Sequence, residues 1–295
     1  MASRKFHVRA LTSIAALAVA VGMLVVSAPT AVGGPPSCGV SNTRNHKGYN
    51  SLQAAVNAAK AGDTLEVKGT CIGNTSVDKS ITLSGVTNNA FPGPPTLDGD
   101  EQGTVVTITA GTTTIRNMTI TNGKTPDFGG GIAARSGSSL VLINSAVSGN
   151  SAGSSGGIDS DGGTVTLIGS TVSNNTAAGA TNCQGLGSCA GGIWNFGGTL
   201  TLIDSTVSGN TATRRGGGIV NQTPTGGSAA LLTLSGTTSI TDNHAISNSA
   251  VNLGGGIWIR GGATVTATGD WTGSISGNTP DQCDPETVIG GTTCT

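Results

Sequence analysis

Charged and aromatic side chains are both scarce in these 295 residues, at 10% and 3%. Ordinary domains carry about a quarter charged residues, so solubility here rests on Thr, Ser and Asn. No basic patch of the kind that follows a phosphate backbone occurs, which excludes nucleic acid as a partner. There is no Cys-x-x-Cys or Cys/His cluster, and His46 and His244 are isolated, so no zinc site is expected. Ser/His/Asp and Cys/His nucleophile constellations are missing, as is a helix-opening glycine loop that would cradle phosphate. Beyond Ala10–Val26 no uncharged apolar run is long enough to cross a membrane.

What the chain does have is a repeat. Gly191 to Asn210 reads GGIWNFGGTLTLIDSTVSGN, and Gly156 to Asn175 reads GGIDSDGGTVTLIGSTVSNN. A third copy runs from Gly130 to Asn150, and looser copies end at Asn243 and Asn278. The Ile of each GGI falls at 132, 158, 193, 219 and 257, so two intervals are 26 residues and the others 35 and 38. A unit near 26 residues with loop insertions is a solenoid repeat.

Within the central copy, Ile193–Phe196, Thr199–Leu202 and Ser205–Ser208 alternate with period 2 between turn residues. Leu200, Leu202 and Val207 point inward, and the parity break at Ile203-Asp204 predicts a bend, with Asn144 and Gly169 as its equivalents. Three short strands make one triangular coil, and such coils bury their apolar residues only by stacking as parallel sheets. The 49 glycines hold fixed positions and read as corners. Asn150, Asn175, Asn210, Asn243 and Asn278 end successive units, which predicts an amide ladder at a corner where Asn also tolerates left-handed backbone.

The motif GGGI…TLTL…STVSGN, over residues 129–278, resembles the right-handed parallel β-helix repeats of pectate-lyase-like and polymorphic-outer-membrane-protein-like secreted proteins. Val147 and Val207 stand where the latter repeat carries Phe in Phe-x-x-Asn. The resemblance implies an all-β, right-handed parallel β-helix solenoid with three strands per coil. It implies little about function, because this fold serves lyases, hydrolases, adhesins and inert shafts.

In chain order, residues 1–28 read as a signal peptide: basic Arg4, Lys5 and Arg9, an apolar run, and small residues suited to cleavage after Ala28. A retained membrane anchor is the competing reading. All 15 acids and 11 of 14 bases follow residue 28, a balance of −4. Residues 29–62 read as an N-terminal cap with a helix over 51–60, whose Leu52, Ala55, Val56 and Ala59 share a face. The string LQAAVNAAKAGDTLEV also resembles the opening helix and first strand of pectate-lyase-like helices. Residues 63–279 are the β-helix, early coils using Thr64–Val67, Ile81–Leu83, Val105–Ile108 and Thr113–Ile120. Residues 280–295 form a C-terminal cap or tail. Six cysteines in the exported part imply disulfides. Of the 15 possible sets, nearest-neighbour contacts in a solenoid favour Cys38–Cys71, Cys183–Cys189 and Cys283–Cys294.

Chemistry is sought on the outward side of the GGI strand. One outward column is Ala133, Asp159, Trp194, Val220 and Trp258; the next is Arg135, Asp161, Phe196, Gln222 and Arg260. Three of the seven Phe, Trp and Tyr residues after position 28 fall there. Aromatic planes beside carboxylates and Arg suit sugar rings, and pectate-lyase-like relatives carry their cleft on the outward face of one sheet. The ligand-binding candidates are therefore Trp194, Phe196, Trp258, Arg135, Asp159, Asp161, Gln222 and Arg260, with the loops 176–190 and 244–254 as walls. A bare solvent face with an Arg135–Asp161 ion pair is the plain alternative.

Asp159 and Asp161 are the paired carboxylates for catalysis or a calcium site, but pectate-lyase-like calcium acids with a base, and polygalacturonase-like Asn-Thr-Asp, Asp-Asp and Gly-His-Gly motifs, are all missing. Asp98, Asp100 and Glu101 form a second acidic cluster, read as a turn or a calcium site, and Arg214-Arg215 as a solvated pair or an anionic-glycan contact. The expectation is a secreted, non-catalytic, monomeric protein that binds an extracellular polysaccharide or cell-surface glycan, with no cofactor other than calcium to consider. A lyase or hydrolase of acidic polysaccharide, and a shaft without ligand, are the alternatives.

Overall fold

Alternation inside each repeat becomes parallel pairing between repeats. The computed structural model describes residues 37–179, 189–246, 253–285 and 287–294, which belong to one compact unit. The leader expected over 1–28 and Cys183 lie outside the described residues.

Each GGI isoleucine opens a strand: Ile132–Ala134, Ile158–Asp161, Ile193–Phe196, Ile219–Gln222 and Ile257–Arg260. These pair in parallel with isoleucine on isoleucine. A second ladder comprises Ser138–Ile143, Thr164–Ile168, Thr199–Ile203, Leu231–Ser235 and Thr264–Ala267. A third comprises Ala146–Ser148, Thr171–Ser173, Thr206–Ser208, Ser239–Thr241 and Ile275–Ser276. The chain is thus an all-β stack of repeated parallel coils. The core is the column set expected: Leu140, Leu142, Val165, Leu167, Leu200, Leu202, Leu232 and Leu234 are fully buried between the sheets, each such side chain contributing about 1.5–3 kcal/mol.

Three strands per repeat leave out a fourth run. Lys124–Thr125, Ser151–Ala152, Thr176–Ala177, Thr211–Ala212 and His244–Ala245 form a further parallel sheet just after the Asn corner. Two residues are too few to show a period, which is why alternation does not reveal them.

The corners are where backbone chemistry decides. Asn144, Gly169 and Asp204 take left-handed φ of 45°, 55° and 47°, as the parity break predicts. The ladder asparagines hydrogen-bond as expected: Asn175 donates its backbone N–H and its Nδ2 to Asn210 Oδ1, both at 3.0 Å, and Asn210 does the same to Asn243. The left-handed residue there, however, is the one before each asparagine, at Gly149, Asn174, Gly209, Asp242 and Gly277. A second ladder is formed by hydroxyls: the backbone N–H of Ser145, Ser170 and Ser205 each donates to the hydroxyl of Ser170, Ser205 and Thr238 in turn, at 3.2 Å. Glycine before each Ile is a matter of space. A Cβ on Gly192 would lie 2.5 Å from Gly218 O and 3.0 Å from Asn210 Nδ2.

The helix expected over 51–60 is present and shorter. Ser51 caps a single helix, Leu52–Ala58, which buries Leu52, Ala55 and Val56. Cys38–Asn42 pairs antiparallel to the long strand Thr64–Ile72, and the Cys38–Cys71 disulfide joins them. The single run expected over 113–120 is two strands, Gly111–Arg116 and Thr119–Thr121, divided by Asn117 at φ 56°. At the other end, Cys283–Cys294 ties the last strand of the GGI sheet to the hairpin of Thr287–Ile289 and Thr292–Cys294. No helix among the described residues is long and apolar enough to cross a membrane.

Candidate functional site

Register along the GGI sheet follows the column count: Ala133, Asp159, Trp194, Val220 and Trp258 pair in sequence, as do Asp161, Phe196, Gln222 and Arg260. Arg135 lies just beyond the end of its strand. What the count does not give is burial. Trp194 is 1% and Trp258 5% exposed, so neither indole is an open platform. The cause is a second apolar layer outside the sheet, built from Ala190, Trp194, Val220 and Trp258, with Phe128 and Phe196 packed against it. Phe128 and Ala190 stand at the corners just before GGI, and their side chains cover the column that period 2 points outward.

Phe128 was not among the sequence candidates. Its signal was present: a rare aromatic directly before the first Gly129–Gly131 corner. Its ring centroid is 5.5 Å from that of Trp194, and Phe196 meets Trp194 edge-on at 5.9 Å. Together with Arg135, Asp159 and Asp161 these rings line a cleft of about 110 Å³. Two larger depressions, of about 440 and 370 Å³, are lined by turn and strand residues and include Lys124 as their one ionisable group. The small cleft is therefore where functional groups converge.

The acid expected to pair with Arg135 was Asp161. The pair that forms is Arg135 Nη1 with Asp159 Oδ2 at 3.3 Å, and Asp161 stays exposed. Burial pushes the Asp159 carboxyl up to about 7; Arg135 opposes this and Asp161 adds to it. Near neutral pH that carboxyl is both a donor and an acceptor. Trp194 Nε1 is buried with no hydrogen-bond partner among the described residues. An indole N–H in that state costs free energy.

The remaining candidates separate from this cleft. Gln222 is buried farther along the sheet. The Arg260 and Arg215 guanidiniums lie 5.6 and 4.9 Å from the Trp258 ring centroid. Asp98 is used locally, accepting from Asp100 N–H and Asn122 Nδ2, while Glu101 pairs with Lys124 at 2.8 Å. No group of three His, Cys, Asp or Glu residues that could hold a metal occurs among the described residues. The loops expected as walls fall largely at 180–188 and 247–252, outside the described residues.

Compared with protein-family models, curated proteins and solved structures, the chain finds no match in any of the three.

Proposed function

We propose that the protein is a secreted, monomeric, right-handed parallel β-helix that binds one sugar unit of an extracellular glycan at the Asp159 cleft without cleaving it. Right-handedness rests on the general rule that parallel strand crossovers turn that way in about 98% of cases. Three main strands per coil alternate with the short fourth run. Export rests on the N-terminal leader pattern and on two disulfides, bonds that form in oxidising compartments.

The observation that carries the binding reading is the meeting of Phe128, Trp194 and Phe196 with Arg135, Asp159 and Asp161 around one small cleft. Aromatic edges and faces take the apolar side of a sugar ring. Asp161 and Arg135, the more exposed polar groups of the cleft, take its hydroxyls, with the Asp159 carboxyl behind them. The cleft takes a ring rather than an extended chain, because its lining ends at Phe196 and the second indole lies two strands farther along the sheet. Isothermal titration with neutral and acidic monosaccharides tests this. Binding should be saturable, and Phe196→Ala and Asp159→Asn should each weaken it at least tenfold.

One observation favours a second reading. An acid with its carboxyl raised to about 7, two residues from a second, exposed acid, resembles the pair that drives glycoside hydrolysis. Arg135 on Asp159, and a cleft without Lys or a third acid, favour binding. Release of reducing ends from a bound glycan, lost in Asp161→Asn, would replace the binding reading with this one.

A further inference from the structure

Three strands beyond Asp159 on the same sheet, two arginines converge on one ring. Arg215, from the corner before Gly216–Gly218, places its Cζ 4.9 Å from the Trp258 centroid, and Arg260, two residues after Trp258, places its Cζ 5.6 Å away. The indole is 5% exposed, Arg215 is half-buried and Arg260 exposed. Each guanidinium keeps its charge at any ordinary pH and carries five N–H donors in a planar fork. Among the described residues neither one forms an ion pair or donates a hydrogen bond, and both stack on the ring. Such cation–π stacking leaves the donors of both forks without a protein acceptor among the described residues.

Like charges gathered on a partly dry surface repel. Arg215 responds to that: burial first, then Arg214 and Arg260, hold its pKa below the ordinary value, with Asp284 opposing. Asp284 relieves that repulsion only in part. Asp284 pairs with Trp258 across the sheet, its Oδ2 is buried without a partner, and burial followed by Asp281 raises its pKa, which weakens it as a counter-charge. Arg215 and Arg260 bring two guanidiniums to one ring, and each fork has the donor geometry that takes a planar or tetrahedral oxyanion through paired hydrogen bonds.

We infer that Arg215 and Arg260, mounted on Trp258, form a binding site for a carboxylate or sulfate group. The site does not depend on the sugar cleft at Asp159. An acidic sugar and a free inorganic anion present the same chemistry, and the experiment separates them.

The test uses the full-length chain at low ionic strength, titrated with sodium sulfate, with glucuronate and with glucose, and read by calorimetry and tryptophan fluorescence. Saturable binding of sulfate or glucuronate but not glucose at this site is expected, each anion displacing the other. Arg260→Gln and Arg215→Gln should each weaken sulfate at least tenfold, and the double variant should abolish its binding. Arg260→Lys, which keeps charge but not the fork, should recover only part of it. Asp159→Asn, which removes the sugar cleft's own contribution, should leave sulfate binding unchanged. In that variant, tighter binding of glucuronate than of sulfate assigns the site to an acidic sugar, and the reverse order to a free anion. Absence of a saturable response to sulfate in the parent, or parent-like sulfate binding by the folded double variant, overturns the inference. Loss of sulfate binding in Asp159→Asn would also overturn it, by merging the two sites.

Discussion

The side chain of Gln282 stands where a sixth ladder asparagine would be. Its Oε1 accepts from the Asn278 backbone N–H at 3.1 Å and from Asn278 Nδ2 at 2.8 Å, the two bonds that each earlier asparagine gives to the next coil. A solenoid ladder needs a terminal acceptor because its last rung has no following coil, and here the acceptor comes from the chain four residues on. Gln282→Ala leaves two donors on Asn278 without that partner, and a loss of about 1–3 kcal/mol is expected. Amide exchange should quicken first at Asn278 and then at Asn243. Unchanged exchange at both would show that the terminal amide does not hold the last coil.

The N-terminal cap carries its own pH dependence. The Asp63 carboxylate accepts from Arg44 Nε at 2.6 Å and Nη2 at 2.9 Å, from Lys60 N–H at 2.9 Å and from Asn42 Nδ2 at 2.6 Å. Chiefly the Arg44 bond, then Lys60 and Asn42, hold its pKa well below the usual carboxylate range. A group depressed in the folded state stabilises above its unfolded value, near 4, and loses that contribution as pH falls below it. Acid should therefore loosen Cys38–Asn42 and the Leu52–Ala58 helix before the central coils. Thermal melts from neutral pH down to about pH 2, the latter below the unfolded carboxylate value, should show this acid loss in the parent and a shallower loss in Asp63→Asn. Equal slopes would contradict it.

The Asp159 cleft has the opposite sign. A carboxyl raised in the folded state binds its proton more tightly there than in the unfolded chain. Its contribution is fully present below the unfolded value, near 4, and is lost as pH rises to about 7. The whole effect is on the order of 4 kcal/mol. Asp159→Asn should remove this slope and be more stable than the parent at pH 8, about one unit above the folded value. A parent-like slope in that variant would place the titration elsewhere.

Burial also reverses the expectation for tryptophan. From the alternation of the strand, Trp194→Ala and Trp258→Ala are surface changes. Because both indoles are buried as members of a second apolar layer, the Trp194 change should cost about 3–5 kcal/mol. Half-buried Phe196→Ala should cost clearly less. Chemical denaturation of both variants compares them directly, and equal small losses would contradict the layered arrangement.

The difference between what the chain shows and what it hides is physical. Ile132, Ile158, Ile193, Ile219 and Ile257 announce the register because stacked coils repeat the same contact, and Asn210 or Asp204 mark corners that few residue types can form. The pairing of Arg135 with Asp159 rather than Asp161 depends on side-chain reach beyond a strand end, which spacing does not encode. Likewise the cover over Trp194 comes from Phe128, two coils earlier in the chain, and no local pattern links the two. Position within the repeat is legible, whereas the second layer outside it is a property of the assembled stack.

The most direct test of carbohydrate binding is a glycan array probed with the parent and with Phe196→Ala side by side, both verified as folded by circular dichroism. Retention of a related group of glycans by the parent, with loss of most of that signal in the variant, is the predicted result. A folded parent that retains no glycan, or a variant that retains the same set as strongly, would contradict it.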